Sequence, residues 1–360
     1  MDNIKVSGYD FFFWEYEEQT KMKHTVLNDY LGIWMQKLGS FNNVNYFDCH
    51  GGCGAYIDKQ GVIYFGSPIL ASQLYEKNKG KLKNKVQICI IEKEKENIEN
   101  LKKVFKYNNI EIKPIMIHGD FNEEINKILD NKKDKINPTF FFVDPFGFKL
   151  KISTIERLMK IPRCEVFANF MFTQLNRFLI DSMEDNLNQL FGCNDWKSFC
   201  DLSGDIREEN IVGLFKSQAK KFSKYVFPYR MSFEDKDRTY YYLIHLTNNL
   251  DGCRIMKSSF AKHNYGRVEY LGINNGVLTL FDLKEVKIEE VKQFLLGKYS
   301  GANQELTFDM VIEQNIDEVP YLESEFRTAL QELRKEKTVK VKPVTSRTDR
   351  GLKGNDIIAF

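Results

Sequence analysis

No stretch of this 360-residue chain approaches the ~20 uninterrupted apolar residues that a membrane-spanning helix requires. The opening segment MDNIKVSGYDFFFWEYEEQ lacks a basic n-region, an apolar h-region and a small-residue cleavage site, so it does not read as a signal peptide. Cysteine is sparse and odd in number. Seven residues at irregular spacings suit free thiols in a reducing compartment better than a disulfide framework. The expected setting is cytoplasmic, with no membrane partner. Net charge is nearly absent as well, at +2, so charge matters here through its distribution.

What is present is material for a core. Hydrophobic residues make up 42% of the chain, enough for a full-sized α/β domain and a smaller module. Met22, Val26, Leu27, Tyr30, Leu31 and Trp34 recur at helical spacing over residues 19–38. Short apolar runs then alternate with helical segments. Strands are predicted at 44–47, 86–91, 112–117, 139–143 and 165–170, followed by aromatic-rich strands at 226–233 and 240–246. The polar turn Glu234-Asp235-Lys236-Asp237 joins the last two. Residues 176–220 read as a largely helical insertion. This alternation predicts a doubly wound, mainly parallel α/β sheet with an antiparallel edge.

In such sheets ligands bind beyond the carboxyl ends of the strands, at the topological switch point. Asp48, Glu92, Asp120 and Asp144 all stand at predicted strand ends. One acid there is ordinary loop chemistry, but four in succession mark a site. The first is followed by a glycine-rich loop, Cys49-His50-Gly51-Gly52-Cys53-Gly54. A dinucleotide fingerprint needs a third glycine and an acid ~20 residues on. Ile57 stands where that glycine belongs and Glu92 lies too far along, so a nicotinamide cofactor is disfavoured. Acids after three successive strands suit S-adenosylmethionine instead. Glu92 would accept from two ribose hydroxyls, Asp120 from the adenine amino group, and Asp48 would orient the methionine end. His50, Gly52, Gly54 and Phe121 complete the expected cofactor set.

With these residues assembled the chain resembles the class I methyltransferases, and within them the three-Cys-motif partner proteins of bacteria and their mobile elements. The resemblance rests on the Lys23…Tyr30-Leu31…Trp34 helix, Tyr46-Phe47-Asp48…Gly52-x-Gly54 and Gly66-Ser67-Pro68. It also rests on Phe142-Val143-Asp144-Pro145-Phe146-Gly147, Asn169-Phe170-Met171 and Asn176-Arg177-Phe178. It spans roughly residues 20–260 and implies a Rossmann-like class I methyltransferase sheet. One departure is His50, which stands where the family usually has an apolar residue. Cys49, His50 and Cys53 lack a second, suitably spaced Cys/His pair, so no metal is expected.

The run TFFFVDPFGFK places Asp144-Pro145-Phe146-Gly147 at the tip of a buried strand. Enzymes that methylate exocyclic amines carry such a string after their fourth strand. The lone pair of that amine is delocalised into the base. A carboxylate and a carbonyl accepting its two N–H bonds aim the lone pair at the methyl group, and an aromatic ring stacks on a base flipped from the helix. Asp144 and the main chain at Pro145 are the expected acceptors, Phe146 the stacking ring, and Gly147 leaves room for the base. The string also resembles motif IV of the transfer-RNA guanine N2-dimethyltransferases.

The domain boundary is expected at 284/285. Residues 285–360 read as three helices (286–296, 307–313, 321–335) and a basic hairpin that pairs 338–342 with 356–360, the layout of a winged helix-turn-helix. Eight basic residues stand against two acids between Arg334 and Lys353. Arg327 and Arg334 on the third helix, with Lys340, Lys342, Arg347 and Arg350 on the wing, are the candidate contacts to nucleic acid, DNA before RNA. Glu323, Glu325 and Glu332 on the same helix keep a protein-docking role open. Two functions follow. One is S-adenosylmethionine-dependent methylation of a nucleobase amine. The other is a non-catalytic, cofactor- or nucleic-acid-binding subunit serving a three-Cys-motif, radical-enzyme-like protein.

Overall fold

The computed structural model describes residues 2–131, 136–147, 149–232, 238–263, 280–300, 305–344 and 351–360. Arg347, Arg350 and the expected turn at 234–237 lie outside the described residues. The chain forms two compact units.

The first unit opens with β1 (Ile4–Lys5), β2 (Phe12–Glu15), α1 (Glu18–Gly39), β3 (Val44–Asp48), β4 (Ala55–Ile57) and β5 (Ile63–Phe65). There follow α2 (Ser67–Asn78), β6 (Val86–Glu92), α3 (Lys95–Tyr107), β7 (Ile115–His118), α4 (Phe121–Asn131), β8 (Thr139–Val143), α5 (Ile152–Met159) and β9 (Glu165–Phe170). Helices α6 (Phe172–Arg177), α7 (Glu184–Phe191) and α8 (Gly204–Ala219) then lead to β10 (Tyr225–Ser232) and β11 (Thr239–Thr247).

Seven strands make one sheet in the order β10-β11-β9-β8-β3-β6-β7. β7, β6, β3, β8 and β9 run parallel, while β11 pairs antiparallel with β9 and with β10. This is the doubly wound sheet with an antiparallel edge that the sequence predicts. From the central β3 the chain winds out to β6 and β7, then returns to β8 on the other side. The switch point therefore falls beside β3.

The apolar run Thr139–Val143 follows from that position, because β8 is covered on both faces. Phe140 meets Tyr30 and Trp34 of α1, with ring centroids 5.5 and 5.8 Å away. On the other face Phe141 joins a core with Ile125 and Leu129 of α4 and Ile155 and Leu158 of α5. Leu187, Phe191, Trp196 and Phe215 belong to that same core, so the helical insertion is part of the main body.

A second, four-stranded sheet, β1-β2-β4-β5, has no counterpart in the sequence reading. Its strands are two to four residues long, too short for a period-2 signal. The parallel pairing of Trp14 with Tyr56 that joins its halves spans more than forty residues.

The second unit begins at Cys253, inside α9 (Leu250–Lys262), and not at the expected residue 285. Lys257 gives the reason. It is fully buried, and its ammonium donates to the carbonyls of Ile316, Val319 and Tyr321 at 2.5, 2.6 and 2.8 Å. After it come α10 (Leu280–Tyr299), β12 (Glu305–Thr307), α11 (Phe308–Asn315), α12 (Glu323–Lys335), β13 (Lys340–Lys342) and β14 (Ile357–Ala359). The expected pairing of the basic strand with the chain end is present, Lys340 opposite Ala359. β12 adds a third strand, giving the order β12-β14-β13.

Candidate functional site

The glycine loop leaves β3 in a conformation that side chains resist. Gly52 has φ +61° and Gly54 φ +81°, both in the left-handed region. Glu92, closing the neighbouring β6, fastens this loop. Its Oε2 accepts from the Gly52 N–H at 2.7 Å, and its Oε1 accepts from the Glu94 N–H at 2.8 Å and from Asn97 Nδ2 at 3.2 Å. A carboxylate has about four lone-pair sites, so roughly one remains open.

Beyond the strand ends lies a cavity of about 440 Å³. His50, Glu92, Asp120, Phe121, Pro145 and Phe146 line it, together with Trp14 and Asn3 from the N-terminal sheet. Asp120 accepts from the Asn122 N–H at 3.0 Å and faces Lys93 at 3.6 Å. The His50 ring lies 5.3 Å from that of Phe121, and burial pushes its pKa down to about 4, leaving a neutral imidazole. Its Nδ1 is buried without a hydrogen-bond partner. Phe146 is 58% exposed, far more than a core ring would be. Trp14 meets it edge-on at 5.8 Å and also covers the glycine loop, where a Cβ on Gly52 would come within 3.1 Å of the indole.

Not every expected residue reaches this cavity. Asp48 does not line it. It is fully buried behind the loop, where Oδ2 accepts from the Tyr46 hydroxyl at 2.9 Å and both Tyr46 and Ser67 favour its charged form. Burial outweighs both and pushes its pKa up to about 7. Gly52 and Gly54 shape the loop and are likewise absent from the cavity wall. A Cβ on Gly54 would strike Leu101 at 2.5 Å, so this glycine serves helix packing.

The Asp-Pro-Phe-Gly string is split in the same way. Pro145 and Phe146 face the cavity and Gly147 faces its neighbour, whereas Asp144 lines neither. The Asp144 carboxylate forms an ion pair with Lys23 through Oδ2, and its Oδ1 accepts from Asn169 Nδ2 at 2.7 Å. Burial alone would raise this carboxyl. The Lys23 charge and the hydrogen bonds from Lys23 and Asn169 outweigh it and hold the group below its ordinary value. Lys23 itself is buried, its ammonium 5.8 Å from the Tyr241 ring. The amide orientation of Asn169 leaves its Oδ1 buried and unpartnered.

Lys23, Asn169 and Trp14 are thus site residues to which sequence reasoning gave no role. Lys23 and Asn169 stood among the residues carrying the resemblance, which was the one available signal. Trp14 offered none, since its position depends on the undetected N-terminal sheet.

In the second unit, Arg327 is not presented as a free contact. Its guanidinium donates to the Leu352 carbonyl and, at 2.6 Å, to Glu323, and lies 4.3 Å from the Phe308 ring centre. Arg334 and Lys340 are exposed, and Lys342 is paired with Glu305 at 2.5 Å.

No family model matches this chain, and no curated protein matches it. Similar solved structures include protein LPL1258 from Legionella pneumophila, 12% identical, covering 64% of this chain and 85% of that one at a TM-score of 0.39. The O-methyltransferase from Bacillus cereus in complex with SAH is 11% identical over 61% and 80% of the two chains, with a TM-score of 0.36. TYW2 from M. jannaschii in complex with AdoMet is 10% identical over 68% and 84%, with a TM-score of 0.34.

Proposed function

We propose that the first unit is an S-adenosylmethionine-dependent methyltransferase acting on an exocyclic amine of a nucleobase, and that the second unit binds the nucleic acid, DNA before RNA. One observation carries the reading. A single cavity at the carboxyl edge of the sheet is lined both by Glu92 and Asp120 and by Pro145-Phe146.

The donor and acceptor set fits the cofactor. Glu92 has an acceptor site open for a ribose hydroxyl, and gains a second if the Gly52 N–H is released. The Asp120 carboxylate has lone pairs left for an amino group, and the unpartnered His50 Nδ1 offers a further polar contact. S-adenosylmethionine, when bound, supplies a methyl group on a sulfonium centre. The remaining work falls to the chain. Phe146 offers its exposed face to a base. Asp144 lines neither cavity, but its carboxylate, kept ionised by Lys23, has about two lone-pair sites unused on a side chain 21% exposed, and in this reading it accepts an N–H of an amine brought to the strand tip. As the nitrogen gains the methyl group it becomes cationic, and the fixed carboxylate stabilises that charge.

For the second unit, the succession α10-β12-α11-α12-β13-β14 supports a winged helix whose wing is β13-β14. Arg334 of α12 and Lys340 of β13 are exposed, which supports contacts to phosphates. A second reading, a partner subunit for a three-Cys-motif protein, is favoured by α12. With Arg327 tied to Glu323 and Leu352, that helix lacks one of the cations expected to enter a groove. The deciding experiment is mass spectrometry of nucleosides after incubation with S-adenosylmethionine and DNA or RNA. A methylated amine that Asp144→Asn abolishes supports the enzyme. Cofactor binding with no methylated nucleoside overturns it in favour of the partner subunit.

A further inference from the structure

Beside the cofactor cavity the first unit holds a second cavity, of about 600 Å³, within the range of small-ligand sites. The two share a wall of Asp120, Asn122, Phe146 and Lys149. Anything seated in the second cavity therefore meets a ligand in the first across the Phe146 ring. The far wall comes from the helical insertion, which the proposed chemistry leaves without a role.

That wall is rich in carboxamides. Gln174 of α6 and Asn186 and Gln189 of α7 line it, and none of their side chains makes a hydrogen bond among the described residues. Asn122 is 8% exposed; its Nδ2 donates to the Lys149 carbonyl at 3.2 Å, which leaves Oδ1 buried and unpartnered. Lys149 and Lys151 also line the cavity, and neither is in an ion pair among the described residues. Helix α6, which leads into the insertion, approaches the Asp-Pro-Phe-Gly string closely. Gly147 has φ +84°, and a Cβ there would stand 3.1 Å from Gln174 Oε1. The turn favours glycine through its positive φ, while the exposed Gln174 carboxamide lies close beside it and could give by a few tenths of an ångström.

We propose that this second cavity seats the target base and that Gln174, Asn186 and Gln189 read its hydrogen-bonding edge, an inference that rests on the methyltransferase reading above. A carboxamide presents a donor and an acceptor in one plane, the pattern that complements the edge of a nucleobase. Phe146 supplies a stacking face at the shared wall, and Lys149 and Lys151 supply charge for a phosphate. The buried, unpartnered Asn122 Oδ1 on this wall favours an occupant that brings a hydrogen-bond donor over an apolar one. The base reaches the cavity either in a free nucleotide or from a strand in which it is unpaired or flipped.

The test is equilibrium binding of adenosine and guanosine 5′-monophosphates, and of single-stranded oligonucleotides containing each base, to the full chain saturated with S-adenosylhomocysteine. Wild type should bind at least one of these ligands. Asn186→Ala/Gln189→Ala should weaken that binding tenfold or more, with S-adenosylhomocysteine affinity changed less than twofold. Gln189→Glu, which removes a donor and keeps the shape, should shift the preference between the two bases, a response that a merely structural role would not produce. Binding of the oligonucleotides alone identifies a strand as the source, and binding of both identifies free nucleotide as sufficient; either outcome supports the site. Unchanged affinity and unchanged preference in both variants overturns the site but leaves the methyltransferase reading intact. A wild type that holds S-adenosylhomocysteine and binds none of the probes overturns both.

Discussion

Lys23 and Asp144 lie 121 residues apart in the chain and form a buried ion pair at the carboxyl edge of the sheet. Their side chains are 7% and 21% exposed. The pair joins α1 to the tip of β8, so the helix that covers one face of the sheet also sets the charge state of the motif acid.

Removing one partner leaves an uncompensated charge in a dry setting. Lys23→Met should destabilise the first unit by ~2–4 kcal/mol, and Lys23→Met/Asp144→Asn should recover much of that loss. Chemical denaturation of the two single variants and the double variant measures the coupling. Additive effects would show that the pair contributes little.

Glu92 joins loop structure to the proposed cofactor site. Glu92→Gln keeps the shape of the side chain and loses its charge, and should weaken S-adenosylhomocysteine binding by about tenfold or more. Glu92→Ala should in addition cost ~1–3 kcal/mol of stability, because the buried Gly52 N–H and Asn97 amide lose their acceptor. Titration calorimetry paired with thermal unfolding separates the two effects. Wild-type affinity in a folded Glu92→Gln would remove this carboxylate from the cofactor site.

Asp48 imposes a pH dependence of definite sign. Its native carboxyl keeps its proton up to about pH 7, whereas the ordinary value is 3.8. The native state therefore binds more protons between these values, and the stability from Asp48 is fully present below about pH 4 and lost as pH rises through about 7. Asp48→Asn cannot ionise, so its stability relative to wild type should increase between about pH 5 and about pH 8. His24 acts in the opposite direction. Burial pushes it down to about 3 from an ordinary 6.5, so its contribution is lost as pH falls through that interval. Denaturation midpoints at the two pH values, for wild type and Asp48→Asn, check the first sign. A difference that does not change with pH contradicts it.

Charge on the second unit should appear as salt dependence. Arg334→Ala/Lys340→Ala should weaken binding to duplexes of any sequence alike and flatten the log–log salt slope by roughly 2 units. Arg327→Ala should instead lower the stability of the second unit, since its partners are Glu323 and the Leu352 carbonyl. A slope unmoved by the surface pair favours the protein-docking reading.

The order of elements was legible because each rests on a local pattern. β8 reads as TFFFV because a central strand covered on both faces must be apolar throughout, and the helical spacing over 19–38 reappears as α1, Glu18–Gly39. The acids at the strand ends were legible for the same reason: a charge terminates an apolar run. Where each acid points was not legible. Glu92 and Asp120 turn into the cavity, whereas Asp48 turns under the loop toward Tyr46 and Ser67, and Asp144 turns toward a lysine on α1. Side-chain direction at a strand end depends on the loop's dihedral angles and on partners far away in sequence, which no local period encodes. The N-terminal sheet was hidden for a related reason, since two- to four-residue strands carry too little pattern to register. The alternating apolar pattern was enough for the doubly wound architecture and for the four acids at its strand ends. Packing between distant residues settled which of these acids face the cavity, that Lys23 holds Asp144 ionised, and that the second unit starts at Cys253, because each depends on burial created by residues far apart in the chain.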